Sequence, residues 1–164
     1  MAATGRRSCS DGAAYLPATA SWRVLATSPL AARHTRAVWT GSEMIVAAGA
    51  SGPDSGPLAL ADGAAYNPRT DSWRPIADGP EHPGFAPIWT GQVLLSFFKR
   101  FEFSYDPVTD MWIEGPANEH AGLSPTPVWT GNDALVLGGA DGIGGAAFTR
   151  LRDRLAIVEA PPEP

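Results

Sequence analysis

Three histidines occupy a recurrent place in this chain: His34, His82 and His120 precede Trp39, Trp89 and Trp129 by five, seven and nine residues. Imidazole is a common zinc ligand, and three rings from successive repeats could in principle meet at one ion. A metal centre needs fixed ligand geometry with supporting groups behind each ligand. Offsets that lengthen from five to nine residues do not supply that, so the expectation is three loop histidines and no metal. Arg33 and Arg36 flank His34 and are the cations placed to grip an anionic ligand, against the plainer alternative of stacking on aromatic neighbours or facing solvent. Arg33, His34, Arg36, His82 and His120 are therefore the candidate ligand-binding residues. No set of side chains reads as catalytic.

Two further features resemble chemistry without carrying it. Cys9 is the one cysteine, which excludes an intramolecular disulfide, and no charged neighbour is clearly placed to activate its thiol. The run Gly138-Gly139-Ala140-Asp141-Gly142-Ile143-Gly144-Gly145 looks like a phosphate-cradling loop and follows a strand. What comes after it reads as a hairpin rather than a helix, so the dinucleotide fingerprint lacks its context and a flexible connection is expected.

The elements that must position these residues repeat. Tyr-x-Pro-x-Thr-x-x-Trp occurs at Tyr15–Trp22, Tyr66–Trp73 and Tyr105–Trp112. Proline fixes φ at the first corner of a turn, while Asn67 or Asp106 before it can bond the following backbone, and the threonine hydroxyl can do so less strongly. Tyrosine and tryptophan flank the turn, where aromatic residues suit a pleated surface and pack across a strand pair. Each copy is a hairpin. A second element recurs in step: Trp39-Thr40-Gly41, Trp89-Thr90-Gly91 and Trp129-Thr130-Gly131, each followed by an apolar run. Equivalent tryptophans are 50 and then 40 residues apart in this element, against 51 and then 39 in the first. The two are phase-locked, so one repeat holds four strands.

Four-stranded repeats of roughly 40–50 residues indicate propeller blades. Here the chain resembles the kelch family, whose blades carry a glycine pair after the second strand and then a tyrosine and a tryptophan across the outer hairpin. Gly138-Gly139 matches the pair, Ala48-Gly49 matches half of it, and Phe98-Lys99 departs from it. The resemblance covers residues 11–158 and implies an all-β, kelch-like β-propeller fragment of about three and a half four-stranded antiparallel blades. It implies structural duty for Tyr15, Trp22, Trp39, Tyr66, Trp73, Trp89, Tyr105, Trp112, Trp129, Gly138 and Gly139. Within this architecture, the galactose oxidase type of chemistry uses copper with tyrosines, histidines and a cysteine crosslinked to a tyrosine. Every tyrosine here belongs to the repeat and Cys9 lies in a terminal arm, so that chemistry is not expected and no cofactor is.

The expected organisation is a flexible arm at 1–10, a half blade at 11–26, blades at 33–77 and 85–114, a degenerate blade at 126–158 and a disordered tail at 159–164. In the degenerate blade, aligning Phe148 on Tyr66 places Leu155 on Trp73. Pro87 and Pro127 require the strands that hold them to be sheet edges. Composition agrees: Gly 18 and Pro 16 in 164 residues suit many short strands with turns, and no amphipathic helical window stands out. A net charge of −5 without a basic patch argues against nucleic acid as a partner. Neither a signal peptide nor an apolar run of membrane-spanning length is visible, so a cytoplasmic location is the default.

The kelch resemblance leaves two functions open. One is a non-catalytic interaction module that binds a protein or a carbohydrate through the variable loops of one face. The other is part of a propeller enzyme, a sugar mutarotase or an oxidase, whose site other blades complete. Half a ring also exposes apolar blade faces, which implies a longer chain, self-association or a partner.

Overall fold

The computed structural model describes residues 11–52, 58–82, 86–98, 101–115 and 125–137 with their side chains, and the backbone of 146–151 and 154–158. The expected terminal arm and tail, Cys9, His120, Gly138 and Gly139 lie outside the described residues. Among those described there are strands and turns and no helix.

The chain divides into two compact units, Met1–Pro83 and Gly84–Pro164. In the first, β1 (Ala13–Leu16) and β2 (Ser21–Val24) form a two-stranded sheet. A four-stranded sheet follows, in the order β3 (Ala37–Trp39), β4 (Met44–Ala47), β7 (Gly63–Asn67), β8 (Ser72–Ile76). Between β4 and β7 lies a short pair, β5 (Ala50–Ser51) with β6 (Leu58–Ala59). The second unit holds two four-stranded sheets. One runs β9 (Ala86–Trp89), β10 (Leu94–Phe98), β11 (Phe101–Asp106), β12 (Met111–Glu114). The other runs β13 (Thr126–Trp129), β14 (Asp133–Leu137), β15 (Ala146–Leu151), β16 (Arg154–Val158). All pairings are antiparallel, and the fold is all-β.

The two sequence elements account for this regularity. In each Trp-Thr-Gly turn the threonine hydroxyl accepts the amide three residues on, at 3.0 Å from Glu43, Val93 and Asp133. The threonine amide in turn donates to the carbonyl of that same residue, at 2.9, 3.0 and 2.9 Å. Gly41, Gly91 and Gly131 have φ of 99°, 96° and 104°, a region that glycine enters without steric cost. The other hairpins are equally alike. Tyr15, Tyr66 and Tyr105 face Trp22, Trp73 and Trp112 in direct cross-strand register, with ring centroids 5.1, 5.1 and 5.0 Å apart. Asn67 Oδ1 and Asp106 Oδ1 accept the amides of Arg69 and Val108, the expected side-chain turn. Thr70 departs from expectation by pairing its hydroxyl with that of Ser72, at 2.7 Å, across the turn. Pro87 and Pro127 do lie on edge strands, β9 and β13.

One expectation needs correction, and two features were not foreseen. The segment between Gly49 and Asp62 is not only a loop, since it folds into β5 and β6 and ties back to His34, whose amide donates to Ala50 O at 2.7 Å. Phe148 stands opposite Ile157, and Leu155 opposite Arg150, so the last hairpin is longer than the alignment on Trp73 implied. The packing burden also falls on the tyrosines. Tyr66 and Tyr105 are buried, Trp73 and Trp112 are half-buried, and Trp22 is exposed.

In the second unit, alternate residues of β10 (Leu95 and Phe97, with Val93 before them) pack against Ala134 and Val136 of β14, and Ile88 and Trp129 close the edge of the cluster. Both faces of the β10–β11 pair are buried: Leu94, Ser96 and Tyr105 on one side are as inaccessible as Leu95 and Phe97 on the other. Burying this much apolar surface is what holds sheets of such short strands together.

Candidate functional site

The ends of the sheets opposite the Trp-Thr-Gly turns are where the repeats differ. Here β4 leads to β7 through the β5–β6 pair, whereas β10 leads to β11 within a few residues. The uniform turns fix the other ends, and connections on a rigid scaffold are where binding residues concentrate.

In the first unit this end is organised by Arg33. Its guanidinium donates from Nη1 to Asp62 O at 3.0 Å and Ala48 O at 3.3 Å, from Nη2 to Asp62 Oδ2 at 2.7 Å, and from Nε to Ala31 O at 3.0 Å. The side chain is only 4% exposed. Arg33 hydrogen bonding holds the Asp62 carboxyl below its ordinary range, against the opposing effect of partial burial. Arg33, expected as a grip for an anionic ligand, thus spends most of its donors on the strand ends it joins. The backbone beneath it is constrained: Ala48 has φ of 50°, Gly49 has φ of 102°, and a Cβ on Gly49 would lie 2.5 Å from His34 O. The glycine that half-matches the repeat pattern is therefore required by a close backbone approach.

His34 and Arg36 continue from Arg33 into β3 and are both exposed. Arg36 enters no ion pair with another described residue. His82 lies beyond β8, half-buried, with its amide donating to Pro80 O. Among the described residues no three His, Cys, Asp or Glu side chains cluster as a metal site. A cleft of about 190 Å3 lies beside Arg33, lined by apolar Leu25, Leu30, Met44 and Trp73 and by Ser28 and Thr35.

The second unit carries a feature that the sequence reading missed. Glu102, at the start of β11, is 1% exposed, and its Oε1 has no hydrogen-bond partner among the described residues. Its neighbours across the sheet are Phe97 on β10 and Gly115 just past β12, whose amide donates to Glu102 O. The carboxyl lies over Gly115, where an added Cβ would stand 3.1 Å from Oε1. Desolvation in this apolar row pushes the Glu102 carboxyl up to about 7.

Asp71 and Asp110 were also missed as a pair. Each stands five residues after the tyrosine, with φ of 49° and 53°, and each accepts the tyrosine hydroxyl, at 2.7 Å for Tyr105 with Asp110. Asp71 additionally accepts from Ala26 N at 3.1 Å and pairs with Arg23 at 2.9 Å. The Tyr66 hydroxyl first, then the Ala26 amide and Arg23, hold its carboxyl down at about 2. Recurrence at a fixed offset in two of three copies was the available signal.

No protein-family model matches the chain, and no curated protein matches it. Among solved structures, the chain is similar to that of YjhT, with a TM-score of 0.70 at 15% identity, over 87% of this chain and 56% of YjhT. It thus spans little more than half the length of that structure. At this identity the likeness speaks for the fold.

Proposed function

We propose that these sheets are blades of a kelch-like β-propeller, about three and a half of them, and that the chain is a non-catalytic interaction module binding a protein or a carbohydrate through the variable strand ends. The observation that carries this reading is the contrast between the two ends of the sheets. Three Trp-Thr-Gly turns repeat one hydrogen-bond pattern, while the opposite ends differ in length, in backbone pairing and in their charged residues. His34 and Arg36 are the exposed polar groups placed there in the first unit. Exposed Val128, Leu135 and Leu137 on the β13–β14 pair support self-association as a further partner.

Glycan and peptide arrays probed with the purified chain test this reading. Arg36→Ala or His34→Ala should weaken any captured ligand about tenfold, the cost of removing one useful polar contact, while Ser42→Ala and Asn132→Ala in the uniform turns should leave it unchanged. Loss of binding in the turn variants, or no ligand on either array, contradicts it.

A further inference from the structure

We propose that the edge of β1 left unpaired among the described residues is a docking site for a further β-hairpin of the Trp-Thr-Gly type, supplied by a polypeptide segment outside these 164 residues. The inference rests on strand pairing and exposure, and does not depend on the ligand-binding reading above.

The sequence of β1 is that of a central strand. Ala13-Ala14-Tyr15 repeats Ala64-Ala65-Tyr66 of β7, which is paired on both sides, by β4 and by β8. β1 is paired by β2 alone among the described residues. Leu25 N donates to Gly12 O, so in the alternating antiparallel ladder Ala14 and Leu16 exchange bonds with β2 while the amides and carbonyls of Ala13 and Tyr15 point away from it. The corresponding groups of Ala64 and Tyr66 lie opposite Val46 and Met44 of β4. In each four-stranded sheet the partner at this edge is the second strand of a Trp-Thr-Gly hairpin: β4, β10 or β14.

A separate observation places the rest of that hairpin. The row Trp39, Met44, Tyr66, Trp73 runs straight across the β3–β8 sheet on one face. Its outer half is covered by the β1–β2 hairpin, through Arg23 to the Tyr66 hydroxyl at 3.1 Å and Trp73 Nε1 to Ala26 O at 2.9 Å. Its inner end is open, with Trp39 53% exposed. In the second unit the equivalent inner pair of one sheet is packed by that of the next, where Leu95 and Phe97 cover Ala134 and half-buried Trp129. One hairpin beside β1 would satisfy the open edge and cover Trp39 together. Its chemistry follows from the copies present: a Trp-Thr-Gly turn and a second strand with apolar side chains at alternate positions, facing Trp39 and Met44.

The probe is a synthetic peptide with the sequence of residues 36–48, added in excess to the full chain, with a scrambled peptide as control. Amide exchange should slow about tenfold or more at Ala13 and Tyr15, and oxidative labelling of Trp39 should fall, with the ordered peptide only. Ala13→Pro, which removes an outward amide and leaves the β1–β2 bonds, should abolish the slowing. Should that variant misfold, Trp39 labelling in the unmodified chain decides alone. No change with the ordered peptide, an equal change with the scrambled one, or β1 amides already protected in a dimer of the free chain each overturns the proposal.

Discussion

The first hairpin and the β11–β12 hairpin are built on one motif and one geometry, and they differ in what covers them. Tyr15 faces Trp22 at a centroid distance of 5.1 Å, and Tyr105 faces Trp112 at 5.0 Å. The residue five places after the tyrosine adopts positive φ in both, 49° at Ala20 and 53° at Asp110. Yet Tyr15 is 49% exposed and Tyr105 is wholly buried. The aromatic pair is thus a register device internal to the hairpin, set by turn chemistry and cross-strand packing. Burial comes from outside it: β10 beside Tyr105 supplies an inner strand, and β1 lacks one among the described residues.

The comparison can be broken most forcefully at the tyrosines. Tyr105→Ala should cost about 3–5 kcal/mol, the range for truncating a buried aromatic, whereas Tyr15→Ala should cost about 1 kcal/mol or less. Chemical-denaturation midpoints of the two variants measure this, and equal losses would refute the division between register and burial.

Glu102 sharpens the comparison through its protonation. Its folded value, about 7, lies above the ordinary 4.5, so between those values the folded chain keeps a proton that the unfolded chain has released. Stability should therefore fall as pH rises from about 4.5 to about 7 and level off above that, by about 3 kcal/mol in all. Glu102→Gln should remove this slope and be the more stable form at pH 8. Asp71 works in the opposite sense, being held down at about 2, and its contribution is lost only as pH falls from the ordinary carboxylate range toward that value. Carboxylate NMR titration follows both groups directly.

The smallest effect concerns Ala20. An exposed alanine at φ of 49° carries the left-handed penalty of an L residue without packing in return. Ala20→Gly should stabilise the first hairpin by about 0.5–1 kcal/mol, seen as slower amide exchange across β1 and β2.

The strand order was largely legible in the sequence, because each Trp-Thr-Gly turn and each Tyr-Trp pair pins a register and the two kinds alternate. The candidate site was far less so. The aromatic alternation Phe101, Phe103, Tyr105 assigns Glu102 to a polar, solvated face, and that inference fails because both faces of the β10–β11 pair are buried. Arg33 reads as a ligand grip in a one-dimensional chain, since Asp62 and the Ala48 carbonyl that occupy it are distant in sequence. The β5–β6 pair was hidden in a Gly- and Pro-rich stretch whose pairing depends on His34 upstream. Phe148 was aligned by analogy with Tyr66, but the Pro-x-Thr turn that fixes register in the other copies is missing from that hairpin.

The most direct measurement of the central claim is residue-resolved amide hydrogen exchange on the chain alone, comparing Tyr15, Tyr66 and Tyr105. Three tyrosines in one motif, paired with three tryptophans in one register, should separate into two classes: slow exchange at Tyr66 and Tyr105, which sit in central strands, and fast exchange at Tyr15, whose amide faces an open edge. Equal protection at all three would contradict the account, because it would mean that the first hairpin already has an inner strand beside β1.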